Sequence, residues 1–137
     1  MTRRIFLSFD SDDLNLVNLF RGHAANPNLD IDFYDGSLKD EINSTNSEYI
    51  KSVIRQKITN VSVTVCLIGR YTHSSKWVDW ELMVSEIAKN GIVGVRLHSD
   101  SSDIPPSRLA ALNGIIVNWN QKEINDAIEL AAKRAGY

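Results

Sequence analysis

The chain has 137 residues, with 15 Lys and Arg against 17 Asp and Glu and a formal charge of −2. That length suits one domain spanning 1–137; the mixed charge and 43% hydrophobic content exclude a disordered chain, and the scattered basic residues offer no nucleic-acid surface. A lone cysteine, Cys66, rules out an internal disulfide framework and fits a reducing cytoplasm; inside the apolar run "VSVTVCLIG" it reads as a buried structural thiol.

The first apolar run, "RIFLSF" (4–9), predicts a strand; with "MTRR" before it and acidic residues after it, the run is too short for a signal peptide. No stretch is long and apolar enough to span a bilayer, so a cytoplasmic protein without a membrane partner is expected. "SDDLNLVNLFRGHA" predicts a helix capped within Ser11 to Asp13, with Pro27 beyond its end. "LDIDFY" (29–34) is a second strand. "TNSEYIKSVIRQKI" places Thr45 and Glu48 at capping-box spacing ahead of an apolar stripe of Ile50, Val53, Ile54 and Ile58. "VSVTVCLI" (61–68) is the third strand, and "SSKWVDWELMVSEIAK" is a helix capped by Ser74 or Ser75. "GIVGVRL" (91–97) is the fourth strand; "SDSSDIPPSRLAALN" reads as a loop with one short helical turn. "GIIVNW" (114–119) is the fifth strand. The last helix, "NQKEINDAIELAAKRAG", pairs Asn120 with Glu123 as a second box and carries Ile124, Ala127, Ile128 and Ala131 on one stripe.

Alternating strands and helices predict an α/β fold: a flavodoxin-like, doubly wound, five-stranded parallel sheet in the order 2-1-3-4-5 with helices on both faces. Ligands of such sheets bind outside the carboxyl ends of the strands, where the loops "FDSDD" and "GRYTHSS" meet. A phospho-receiver is excluded: strand three ends in "CLIGRYT" without an aspartate and strand five in "IVNWN" without a lysine. Neither GxxxxGK[ST] nor GxGxxG is present, and His23, His73 and His98 lack metal-ligand spacing, so neither a metal nor a bound cofactor is expected.

The stretch "SSKWVDWEL" is more informative. At helical spacing Glu81 falls one turn past Trp77. Val84, Ala88, Trp80 and Ile87 extend the apolar face, while Asp79, Glu86 and Lys89 form the polar back. Glu81 is therefore expected on the border of the buried stripe. Two readings stay open there: a glutamate whose stem packs on Trp77 while its head reaches water, or a partly desolvated functional carboxylate.

Three segments in order, "RIFLSFDSDD", "FYDGSLKDE" and "VSVTVCLIGRYTHSSKWVDWELMVSEIAKNGIVGVRLH", resemble the TIR-domain superfamily, and within it the TIR-like proteins of the Thoeris anti-phage defence system. The resemblance implies an NAD glycohydrolase or ADP-ribosyl cyclase. NAD would be substrate, nicotinamide would be released, and a cyclic ADP-ribose-type signal would reach a separate effector protein. It places the catalytic glutamate at Glu81 and a substrate-facing aromatic at Trp77. It also implies pocket contributions from Phe9, Asp10 and Ser11 after strand one and from Gly36, Ser37 and Leu38 after strand two. That second loop is implied in self-association as well. One carboxylate suffices for this chemistry, because nicotinamide leaves as a neutral group and the remaining need is to stabilise a ribosyl oxocarbenium ion. Many TIR domains are instead non-catalytic protein–protein scaffolds, and a WxxxE spacing can serve helix packing alone.

Overall fold

The computed structural model describes residues 3–24, 31–34, 46–98 and 102–137. Five strands, β1 (Arg3–Ser8), β2 (Ile31–Tyr34), β3 (Val63–Ile68), β4 (Gly91–Arg96) and β5 (Ile115–Asn118), pair in parallel in the order β2-β1-β3-β4-β5. The helices are α1 (Leu14–Ala24), α2 (Ser47–Thr59), α3 (Lys76–Ile87), α4 (Ser107–Ala111) and α5 (Gln121–Arg134), with 3-10 turns at Ser11–Asp13 and Thr72–Ser74.

Side chains of the central strands alternate between the sheet faces, as a period of two requires. Ile5 and Leu7 of β1, Val63, Val65 and Leu67 of β3, and Val93 and Val95 of β4 form one cluster with Val17 and Phe20 of α1 and Ile124, Ala127 and Ile128 of α5. On the opposite face Phe6, Cys66, Ile68 and Ile92 enter two smaller clusters, completed by α2, α3 and α4. Both faces are thus covered by helices, which explains the near-continuous apolar runs of the central strands. α4 lies directly on β4: a Cβ at Gly94 would come within 2.7 Å of Leu109 Cδ2.

Helix starts follow the capping chemistry with two corrections. Ser75 Oγ accepts from Val78 N at 3.2 Å and opens α3; Asn120 Oδ1 accepts from Glu123 N at 3.1 Å and opens α5. At α2, however, the cap is Asn46, whose Oδ1 accepts from Glu48 N and Tyr49 N at 3.0 and 3.2 Å; Thr45 lies outside the described residues. After β1 the cap is Asp10, one residue before the expected span, accepting from Asp12 N at 3.2 Å.

Candidate active site

α3 turns Val78, Glu81, Leu82 and Ser85 inward. Val78 and Leu82 pack with Cys66, Ile68, Ile92 and Leu109, while Val84 packs with Phe6, Ile54, Ile58 and Val61. Glu81 therefore does not sit on a border: it has 0% exposure. The expectation of a partly wetted carboxylate fails because α3 is gripped on two flanks by separate apolar clusters, so its buried arc is wider than one stripe. Ile87, assigned to the apolar face, is instead 73% exposed. Asp79, Glu86 and Lys89 are exposed, as the polar back requires, and Asp79 accepts from Arg108 Nε at 2.9 Å.

A buried carboxyl group needs a hydrogen-bond donor. Ser8, the last residue of β1, supplies one: its Oγ donates to Glu81 Oε1 at 2.8 Å, and both residues are fully buried. The backbone of Glu81 is held too, because Ser85 Oγ donates to its carbonyl at 2.8 Å. Ser85 Oγ also lies 2.7 Å from Thr64 Oγ1, and Asn90 Nδ2 donates to Thr64 Oγ1 at 3.3 Å and to the Ile58 carbonyl at 2.9 Å. With Ser85 donating to the carbonyl, Thr64 must donate to Ser85 and Asn90 to Thr64, which gives a single direction to the chain of donors. Ser8, Glu81, Ser85, Thr64 and Asn90 thus form a polar seam between sheet and α3. Cys66 pairs in register with Ser8 across β1 and β3; burial pushes its thiol pKa far up, and the nearby Glu81 charge adds to the shift. That thiol is structural, as expected.

The other residues assigned to the pocket are spread around this point. Trp77 is half-buried in the α2–α3 cluster, edge-on to Trp80 with ring centroids 5.8 Å apart and planes at 89°. Phe9 is 1% exposed and belongs to the cluster on the α1–α5 face, with the Arg21 guanidinium 5.5 Å from its ring centroid. Its side chain is part of the core in this structure. Asp10 caps the following turn and Ser11 is exposed on it. Gly36, Ser37 and Leu38 lie outside the described residues. Ser8 is the residue that sequence reasoning missed. Its signal was available: in "RIFLSF" it shares a face with Phe6, opposite Ile5 and Leu7, so it is a polar residue turned inward on a central strand.

The loops after β1, β3 and β4 do meet above the sheet, around a cleft of about 320 Å³ lined by Asp12, Asp13, Asn15, Leu16, Arg70, Tyr71 and His98. Gly69 makes room for Asp13: a Cβ there would collide with the Asp13 carboxylate. Burial raises the Asp13 pKa, neighbouring Asp10 and Asp12 raise it further, and His98 opposes them. Arg70 supplies the positive charge that the loop after β1 lacks. Among the described residues no group of three or more His, Cys, Asp or Glu could hold a metal ion, and no helix is long and apolar enough to cross a membrane.

The family model for the Thoeris protein ThsB, TIR-like domain, matches residues 6–102, from β1 past the end of β4 and through the whole Glu81 seam. The chain belongs to the Thoeris ThsB TIR-like family. A curated protein of Bacillus cereus (strain MSX-D12), "Putative cyclic ADP-D-ribose synthase ThsB1", is 31% identical over 103 residues, covering 72% of this chain. The chain spans about half of that relative's length, 54%. Among solved structures, the TIR domain of the Toll-related receptor TRR-2 from Hydra magnipapillata superimposes with a TM-score of 0.57 at 12% identity, covering 95% of this chain and 94% of that one. At that identity the likeness concerns the fold alone, and it extends the TIR architecture beyond the ThsB segment to α5.

Proposed function

We propose that this TIR-like domain cleaves the nicotinamide–ribose bond of NAD, with Glu81 as the catalytic carboxylate. The carrying observation is the carboxylate itself: a glutamate without exposed surface, on the helix of the Trp-x-x-x-Glu segment, bonded to the carboxyl end of central strand β1. Membership of the ThsB family and the name of the Bacillus cereus relative support NAD-type chemistry.

In the proposed reaction the C1′–N bond breaks heterolytically and its electron pair leaves with the pyridine nitrogen, which turns cationic nicotinamide into a neutral leaving group. A positive charge spreads over C1′ and the ring oxygen of the ribose. Glu81, ionised and close to the ribose hydroxyls, stabilises that charge in a site of low dielectric. Capture by a nitrogen of the adenine ring gives a cyclic ADP-ribose-type product; capture by water gives ADP-ribose and a proton. Trp77 offers an indole face to the pyridinium or adenine ring. Phe9, Asp10, Ser11, Gly36, Ser37 and Leu38 form the rest of the pocket on this reading, and Phe9 must leave the core to do so. The substrate-bound state must also uncover Glu81. NAD is consumed as substrate, no resident cofactor takes part, self-association runs through the loop after β2, and the cyclic product acts on a separate effector protein in the cytoplasm.

The same burial favours one rival: a scaffold in which Glu81 serves helix packing. Chromatographic measurement of nicotinamide released from NAD decides between them. The expected outcome is release by the purified chain and a fall of about 10²–10³-fold in Glu81→Gln, with its thermal transition retained. Release unaffected by Glu81→Gln would remove Glu81 from the reaction. A chain that releases nothing, even concentrated or supplied with extract of infected cells, is a scaffold.

A further inference from the structure

We propose that Ser8 is a positioning residue for the Glu81 carboxylate; this rests on Glu81 being the group that faces the ribose. A glutamate has three rotatable side-chain bonds, and a catalytic carboxylate must be held within fractions of an ångström of its working position. The seam restrains Glu81 at both ends. Ser85 fixes its carbonyl within α3, and Thr64 ties Ser85 to β3. Ser8 Oγ then takes Oε1 at 2.8 Å. A carboxylate is planar, so fixing one oxygen and the stem also sets the direction of the other.

The donor is suited to the task. Ser8 stands on β1, between β2 and β3 in the sheet, and its short side chain gives the hydroxyl little room to wander. It is fully buried, so water does not compete for the bond. A hydroxyl that donates to an ionised carboxylate also favours the charged form that the oxocarbenium ion requires. Ser8 contacts Glu81 and acts through it, so its effect falls on the chemical step.

The test compares nicotinamide release by wild type, Ser8→Ala, Ser8→Cys and Ser8→Thr. Ser8→Ala is expected to lower kcat about 10–100-fold with KM within about twofold of wild type. Ser8→Thr, which keeps the hydroxyl, recovers most of the rate; Ser8→Cys, nearly isosteric with a weaker donor, falls between and serves if threonine disturbs packing. Wild-type kcat in Ser8→Ala, or a rise in KM alone, overturns the proposal, whereas a wild-type rate in Glu81→Gln overturns the catalytic assignment beneath it. A measurement without turnover separates the two again. In a chain with ¹³C-labelled glutamate carboxyls, the resonance missing from Glu81→Gln is expected to shift in Ser8→Ala and return in Ser8→Thr. A Glu81 resonance that ignores Ser8→Ala overturns the proposal, whatever the chain releases.

Discussion

On the α1–α5 side of the sheet, Ile5, Leu7, Val63, Val65, Leu67, Val93 and Val95 meet an apolar helical surface, whereas on the α2–α3–α4 side the same strands turn Ser8, Thr64 and Cys66 inward beside Phe6 and Ile68. The first side is a continuous core. The second is two apolar clusters with a hydrogen-bonded seam between them. Both are buried, but they answer different demands. Aliphatic packing yields stability in proportion to the area removed from water. A buried carboxyl and its donors gain little net stability, because each bond replaces one made to water. The seam is therefore the part of this interior whose presence calls for a reason other than stability, and the proposed chemistry supplies one.

Four substitutions break or sharpen that contrast. Leu67→Ala, on the continuous side, is expected to lower unfolding free energy by about 2–5 kcal/mol in urea titrations, because a packed face leaves a cavity when truncated. Val65→Thr, almost identical in shape, brings a hydroxyl into the aliphatic cluster; an expected loss of about 1–3 kcal/mol would mark that side as intolerant of polarity. Its mirror, Thr64→Val, removes the hydroxyl that joins Ser85 and Asn90, and about 0.5–1.5 kcal/mol should be lost. A gain in stability from Thr64→Val would mean that the seam's bonds hold nothing together. The smallest effect belongs to Asp13→Asn at the cleft. Burial raises the Asp13 pKa, so its folded form prefers the proton and the contribution it makes to stability in acid is lost as pH rises. Removing the charge should therefore raise the melting temperature slightly at pH 7. That advantage should begin to shrink as the pH falls through the raised pKa of folded Asp13, above the ordinary aspartate range, and should be gone once the pH is below that range; differential scanning fluorimetry across pH reads both limbs.

Much of the architecture was legible because it depends on local pattern. Five apolar runs became strands, Ser75 and Asn120 cap the helices they precede, and Ile124, Ala127, Ile128 and Ala131 are all buried on α5. The misses share a cause: each depends on what another segment brings. Ile87 is exposed because α3 buries the arc of Val78, Glu81, Leu82 and Ser85 instead, and Phe9 is core because α1 and α5 close over that end of the sheet. Ser8 and Glu81 lie 73 positions apart, so their bond follows from the way α3 seats on β1, which no window of sequence contains. The helix pattern and the strand pattern each marked one partner. Matching inward polar residues on the two would have joined them.

The chain has three tryptophans, and two of them, Trp77 and Trp80, stand edge to face on the helix that carries Glu81, with Lys51 and Arg55 of α2 about 5.6 and 5.5 Å from the Trp80 ring centre. The third, Trp119, is tilted against Phe20 on the far side of the sheet. The molecule thus carries its own optical reporter. With Trp119 replaced by phenylalanine, tryptophan emission, excited selectively over that of the four tyrosines, comes from that one helix alone, and a change in its brightness or colour when a nucleotide is added reports on the surroundings of α3 without any attached dye.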